Sequence, residues 1–539
     1  MRFALLVAVL LAAVWVGLPT ASSDGLAAHK SGGSLEARLS SDLDYVDPGL
    51  DYLAAGWEIQ YAVGCKLLNY PDQSGPAGGE LQPEAATGFP RISNGGRTYT
   101  FTIGGGYRFA NGEKVTAASF AAAYNRDANA RFQSPAQFFL TDLVGARDVF
   151  RGRRQTISGI IVKANTIRFT LTHPAPDFLS RVAMPFFQAI PKSMWNAVAP
   201  AGVTSFAGCG PYYVSSWVPG HALVLKRNQY YSGPRPQNLD QITYSIGASA
   251  LTNEQDVLQG AADYAADGIP AGDAAALAKK FGVNRTQFWV QTSLGVAYLA
   301  LNHDRPLFKN NPGLSKAVNF AIDRRALLAQ AGFGAGWATD HILPPGVPGA
   351  RKCNCYPLAA PDFRKAAALA KGNMRGGNAV LWVSDNPGDL LQAKTIQYDL
   401  SRIGLRVSVQ SFARPVQIEK EGTRGAAFDI VIDGWMADYN DPYDFINTLL
   451  STGAIRAYNS NNIAYYRSAR YDRQMTQAAR LRGAARYNAY GSLDIQMMKD
   501  DPPWAPLYNF NRRILISKRT GCLTFNPVYQ VDLAALCLQ

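Results

Sequence analysis

Histidine is nearly absent from this chain, with five in 539 residues. They stand far apart, at His29, His173, His221, His303 and His341, which leaves no His-Glu-x-x-His pair for a zinc centre and no histidine-based catalytic cluster. A Gly-x-Ser-x-Gly nucleophile elbow and a Walker phosphate loop are missing too. The expectation is therefore a protein that is not an enzyme, with no catalytic residues, no metal site and no cofactor. Charged residues are sparse, at 17%, although their balance is +13. The 53 Lys and Arg are scattered, and the tightest cluster, Arg151, Arg153 and Arg154 around Gly152, reads as a solvated turn, so no nucleic acid partner is expected. A basic surface facing an anionic envelope is the milder reading. After residue 18 no apolar run resembles a membrane span.

What the chain does have is core. With 47% hydrophobic residues over this length, one hydrophobic core is not enough, and two or three lobes are expected. Met1-Arg2, an apolar run over residues 3–18 and Pro19-Thr20-Ala21-Ser22-Ser23 read as a secretory signal over residues 1–23, with retention as an uncleaved anchor the alternative. No cysteine stands near that region, so a lipid-anchored end is not expected. Export makes Cys65, Cys209, Cys353, Cys355, Cys522 and Cys537 candidates for disulfides. Cys522 with Cys537 is the first pairing expected, closing a short loop that staples the tail. Cys353-Asn354-Cys355 is awkward as a pair and lacks the second half of a zinc pattern, so a loop with at least one outside partner is expected.

Periodicity predicts half-buried strands at residues 98–103, 160–163, 166–171, 212–217, 222–227 and 242–246. It predicts helices at residues 57–68, following Thr116, and at residues 251–259. From residue 296 onward the pattern alternates: a strand at 296–301, a helix at 314–330, then helix 363–370, strand 379–383, helix 389–403 and a strand from Leu405. That alternation predicts a parallel sheet with right-handed crossovers, an α/β lobe.

The stretch 434–442, Gly-Trp-Met-Ala-Asp-Tyr-Asn-Asp-Pro, follows the buried-strand run Phe428-Asp429-Ile430-Val431-Ile432. Asp441 is a good helix N-cap, Pro442 an ideal first helical residue, and Asp444 falls in the positive first turn. Asp438, between Trp435 and Tyr439, has no structural duty in this reading. A carboxylate among aromatics beyond the carboxyl end of a strand is where open α/β sheets place ligands. The neighbouring acid, Asp433, reads as a surface residue, with a ligand contact the alternative.

Further short motifs occur in order along the chain: Leu81-Gln82-Pro83-Glu84-Ala85-Ala86-Thr87, Gly96-Arg97-Thr98-Tyr99-Thr100-Phe101, Arg108-Phe109-Ala110-Asn111-Gly112, Gly208-Cys209-Gly210-Pro211-Tyr212, Leu301-Asn302 and Ala321-Ile322-Asp323-Arg324. With Gly434-Trp435 and Asp438-Tyr439-Asn440-Asp441-Pro442, they make the chain resemble the dipeptide- and oligopeptide-binding family of extracellular solute-binding proteins, the capture subunits of ABC importers. The resemblance implies a two-lobed α/β fold of the periplasmic-binding-protein kind, with an extra subdomain inserted in the first lobe and a central ligand cleft. It places the first lobe at residues 24–68, 206–297 and 507–539, the insertion at 69–205, and the second lobe at 298–506. It further implies a short peptide ligand, delivery to permease subunits in the membrane, a monomer, and a periplasmic or cell-envelope location. The same fold with another cargo, such as a nickel chelate, haem, sugar or signalling peptide, is the alternative, and a secreted hydrolase the remoter one.

By the same resemblance, Asp438 pairs with the ligand's α-ammonium, Gly434, Trp435, Met436 and Tyr439 line the cleft, and Leu53 or Ala54 stands opposite. Relatives that grip a carboxylate use arginines shortly before the Gly-Trp pair. Here Ile432 and Asp433 hold those places, and Arg424 is the nearest guanidinium.

Overall fold

Two mixed sheets divide the molecule, each with its own core, in a computed structural model that describes residues 32–539. The expected signal at residues 1–23 and His29 lie outside the described residues. The first sheet has five strands in the order Tyr264–Ala265, Ser34–Leu39, Gln241–Ile246, Ala222–Arg227 and Tyr212–Val218. Its inward residues Leu35, Ala37, Leu39, Leu223, Leu225 and Ile242 are fully buried, and the carboxyl tail adds Val531, Leu533 and Leu536 to the same core. A four-stranded antiparallel sheet follows from the segment between, with Thr98–Thr102 at its centre, paired to Arg91–Ser93 and Thr166–Thr170. The helix Ala117–Asp127 covers it, starting at Thr116, whose N–H donates to the Ser119 hydroxyl at 3.2 Å.

The second sheet has six strands in the order Gly336–Ala338, Trp504–Leu515, Phe288–Leu301, Ile430–Met436, Asn378–Ser384 and Arg406–Phe412. Parallel pairing is confined to the last three, whereas Phe288–Leu301 runs antiparallel to both of its neighbours. The wholly parallel sheet expected from the βα alternation is corrected accordingly, because apolar runs specify burial and not strand direction. Phe288–Leu301 and Trp504–Leu515 are long enough to leave this sheet. Their far ends, Phe288 against Leu515, pack with Val257, Ala262 and Leu277 beside the first sheet.

Two expected helices change. The helix expected over residues 314–330 is two, Pro312–Ala321 and Arg324–Gln330, because the Asp323 carboxylate accepts from the Ala326 N–H at 2.9 Å and starts a new helix. The helix expected over 57–68 runs Ala54–Val63 and stops at Gly64. There Cys65 is bonded to Cys209, and Leu68–Asn69 pairs with Gln82–Pro83 as a short strand.

The tail is stapled by Cys522–Cys537, as expected from the loop it closes. Cys353 and Cys355 are bonded to each other, which corrects the expectation of an outside partner. Asn354 between them takes a left-handed backbone (φ 53°), and the Asp340 carboxylate accepts from the Tyr356 N–H at 3.1 Å and from Cys355 N–H, folding the loop tightly enough to bring the two sulfurs together.

Candidate ligand-binding cleft

A cavity of ≈ 770 Å³ opens where four stretches of chain meet. One wall comes from the start of the helix Ala54–Val63 and the residues before it, another from the inserted segment around Phe138, a third from Ile430–Met436, and the last from the turn after residue 455 together with Tyr529 and Gln530. The volume falls inside the range of roughly 300–1,000 Å³ typical of small-ligand sites.

The strand Ile430–Met436 is the floor of this cleft. Ile430 and Val431 are fully buried and β-branched, which fixes the strand in the sheet. It pairs with Phe288–Leu301 over its full length, but with Asn378–Ser384 only at Ile430 and Val431. Past Val431 its second edge has no strand partner among the described residues. Gln417 donates to the Ile432 carbonyl at 3.0 Å, and Gly434, Trp435 and Met436, half-buried, then line the cavity. An open strand edge is a template for another extended backbone.

The loop after the strand is held by acids. Asp441 caps the helix Pro442–Leu450, accepting from the Tyr443 N–H at 2.8 Å. Its carboxylate also takes both arms of Arg486, at 2.7 and 3.2 Å. The Asp444 carboxylate accepts from the Asp438 N–H at 2.9 Å and from the Trp435 indole at 3.2 Å, which fixes the loop over the strand end. Asp438 faces the cleft, where its carboxyl accepts from the Tyr52 hydroxyl of the opposite wall at 2.8 Å and shares a hydrogen bond with the Asp444 carboxyl. Asp438, expected to have no structural duty, thus has hydrogen-bond partners within the fold. No cation pairs with it among the described residues, and burial pushes its carboxyl up to about 7, against the hydrogen bonds with Tyr52 and Asp444. Burial and the neighbouring Asp438 hold Asp444 well above the usual carboxylate range.

Aromatic rings frame this carboxyl. The Tyr52 ring lies 5.7 Å from Trp57, 5.3 Å from Phe186 and 6.5 Å, edge-on, from Trp435. On the far side Arg414 pairs with Asp433 and stands 3.7 Å from Glu421, so Asp433 is ion-paired at the cleft wall and not a free surface acid.

Of the residues singled out in the sequence, Leu53, Ala54, Gly434, Trp435, Met436 and Asp438 come together around the cavity. Tyr439 does not. It is fully buried behind the loop, edge-on to Phe139 at 6.4 Å, with its hydroxyl 3.5 Å from the Asp177 carboxylate, because the loop's alternation turns it away from Asp438. Arg424 is exposed outside the cavity, its N–H donating to the Ala457 carbonyl at 3.0 Å. Sequence reasoning missed Tyr52, Phe138, Arg414 and Arg456. Tyr52 stands next to Leu53 and was within reach of the same argument, whereas the others carry no local signal.

The sequence profile of the bacterial extracellular solute-binding proteins, family 5 (middle region), matches residues 80–456. The chain belongs to that family. A fellow solute-binding protein, the probable D,D-dipeptide-binding periplasmic protein DdpA of Escherichia coli, is 23% identical over 504 residues, covering 91% of each chain. Heme-binding protein A of Haemophilus influenzae is 25% identical over 454 residues, with 79% of each covered. Among solved structures, the clavulanic acid biosynthesis oligopeptide binding protein 2 superposes with a TM-score of 0.84 at 22% identity, covering 94% of this chain and 96% of that one, which fixes the two-lobed solute-binding fold.

Proposed function

We propose that the chain is an extracytoplasmic capture subunit of an ABC importer that takes short peptides into this cleft and passes them to a membrane permease without chemistry on them. The observation that carries the reading is the open edge of Ile430–Met436, which ends beside a cation-free carboxyl. An extended peptide can add to the edge through main-chain hydrogen bonds, and its α-ammonium then falls to Asp438. A charge-assisted bond there contributes about 1.5–3 kcal/mol, with the Tyr52 hydroxyl displaced or shared. Trp435 and Met436 give apolar contact to alternate side chains. The names of the dipeptide- and oligopeptide-binding relatives agree with this cargo, and no helix among the described residues is long and apolar enough to cross a membrane.

The lobe boundaries belong to the same proposal: first lobe at 24–68, 206–297 and 507–539, insertion at 69–205, second lobe at 298–506. Closure over the ligand is then a hinge in the paired strands Phe288–Leu301 and Trp504–Leu515, the two long connections between the sheets. A single chain suffices for the site, so it acts as a monomer.

Mass spectrometry of ligand that copurifies under native conditions tests the cargo. Short peptides are the expected result. A haem, a metal chelate or a sugar in their place overturns the peptide reading and leaves the fold untouched.

A further inference from the structure

The bonded cysteines Cys353 and Cys355 are 2 positions apart, against 144 and 15 for the other two pairs, so this disulfide restricts the unfolded chain least. Its surroundings differ as well. Cys65, Cys209 and Cys537 are fully buried, whereas Cys355 is partly exposed. Arg351 and Lys352, just before Cys353, are exposed and have no ion pair among the described residues. Neighbouring cations stabilise a departing thiolate, and an accessible disulfide is the labile kind. A third group stands against the sulfurs. Asp340 is 3% exposed, and an oxygen of its carboxylate and the two sulfurs all lie within 4.8 Å of one another. Its Oδ2 holds the loop, accepting from the Cys355 and Tyr356 N–H groups. Among the described residues its Oδ1 accepts no hydrogen bond and the carboxylate has no ion pair. Two sulfurs and a carboxylate oxygen at this spacing are three donors for one thiophilic ion, Zn–S being about 2.3 Å and Zn–O about 2.0–2.2 Å. None of the three residues lines the cleft.

We infer that Cys353–Cys355 is a reducible pair whose dithiol form, with Asp340 as third ligand, binds one thiophilic divalent cation of the zinc type. The inference does not depend on the cargo of the cleft. The reductant is a dithiol. Its thiolate attacks the Cys355 sulfur, the more exposed of the two, and the S–S bond breaks with Cys353 leaving as a thiolate next to Lys352. The reductant's second thiol then displaces Cys355, and the reductant ends as a cyclic disulfide, having given two electrons and two protons to the pair. The cation binds both sulfurs as thiolates, expelling those two protons, and Asp340 adds the oxygen. On the partly exposed side, at Cys355, the fourth position falls to water. Cys-x-Cys alone offers only two ligands, and the third comes from a residue that the loop's backbone hydrogen bonds draw against it.

The test uses the full chain in two steps. Mild dithiothreitol followed by alkylation and peptide mass spectrometry should label Cys353 and Cys355 about 10-fold or more above each of the other four cysteines. Once the reductant is removed without air, Zn²⁺ should bind one per chain, read by native mass spectrometry as one zinc less two protons. Co²⁺ in its place should give a thiolate-to-cobalt charge-transfer band. Cys353→Ser together with Cys355→Ser should lose that band. Asp340→Asn, which keeps an acceptor for the Cys355 and Tyr356 N–H groups, should weaken Co²⁺ binding about 10-fold or more. If Asp340→Asn fails to fold, Asp340→Glu takes its place, and its longer arm should shift the cobalt spectrum. Labelling of Cys353 and Cys355 no faster than of Cys522 and Cys537 overturns the inference. So does a reduced pair that takes up neither Zn²⁺ nor Co²⁺, or a band that survives in the double serine variant. Unchanged Co²⁺ binding in Asp340→Asn, or an unshifted spectrum in Asp340→Glu, overturns Asp340 as the third ligand.

Discussion

Asp438 and Asp441 lie three residues apart on one loop and are buried alike, at 6% and 5% exposure, but they answer to different partners. Asp441 receives a two-armed arginine and caps a helix, so its charge is matched within the fold. Asp438 receives a tyrosine hydroxyl from across the cleft and shares a hydrogen bond with the Asp444 carboxyl, but among the described residues it receives no cation. Burial by itself does not mark a ligand contact. An unmatched buried charge facing a cavity does, because the missing counter-charge has to come from outside the fold.

Breaking the matched side should cause the largest effect. Asp441→Ala leaves Arg486 buried without its partner and removes a helix cap, so urea unfolding of the empty protein should show a loss of about 3–5 kcal/mol. The unmatched side should behave oppositely. Asp438→Asn should destabilise the empty protein by no more than about 1 kcal/mol, yet weaken free-amine peptides by about 1.5–3 kcal/mol in calorimetry. A stability loss as large as that of Asp441→Ala would erase the distinction.

A pH series sharpens it. The Asp438 carboxyl titrates near 7 in the folded chain, above its ordinary value of 3.8, so between these values the folded state binds more protons than the unfolded state. Its contribution to stability is complete below the ordinary value and is lost as pH rises toward and through 7. The decline between pH 5 and pH 7 should be on the order of 1–2 kcal/mol smaller in Asp438→Asn than in the unsubstituted protein, measured by urea unfolding at both pH values. The smallest effect expected is that of Tyr52→Phe, which removes the hydrogen bond from across the cleft to Asp438 and should change peptide affinity by about 0.5–1.5 kcal/mol.

Much of the matched side was legible in the sequence. Asp441 before Pro442 is a cap by residue type, and Ile430, Val431 and Ile432 announce a buried strand, because both signals are local. The two-lobed α/β fold was legible through ordered motifs along the chain. What decides the site was not. Tyr52 meets Asp438 and Arg486 meets Asp441 only after distant segments pack, and no spacing rule connects them. The burial of Tyr439 was hidden for a related reason: the loop's path, set by Asp444 accepting from both Trp435 and the Asp438 backbone, decides which aromatics face the cleft. Strand direction failed similarly, since the run 296–301 gives the same apolar pattern whichever way its neighbours run.

The most direct test of the central claim, that Asp438 awaits a cation from the ligand, is calorimetry comparing a free tripeptide library with its N-acetylated counterpart on the unsubstituted protein and on Asp438→Asn. The account predicts that acetylation weakens binding to the unsubstituted protein about 10-fold or more, and that Asp438→Asn no longer separates the two libraries. Equal binding of free and acetylated peptides to the unsubstituted protein would contradict it.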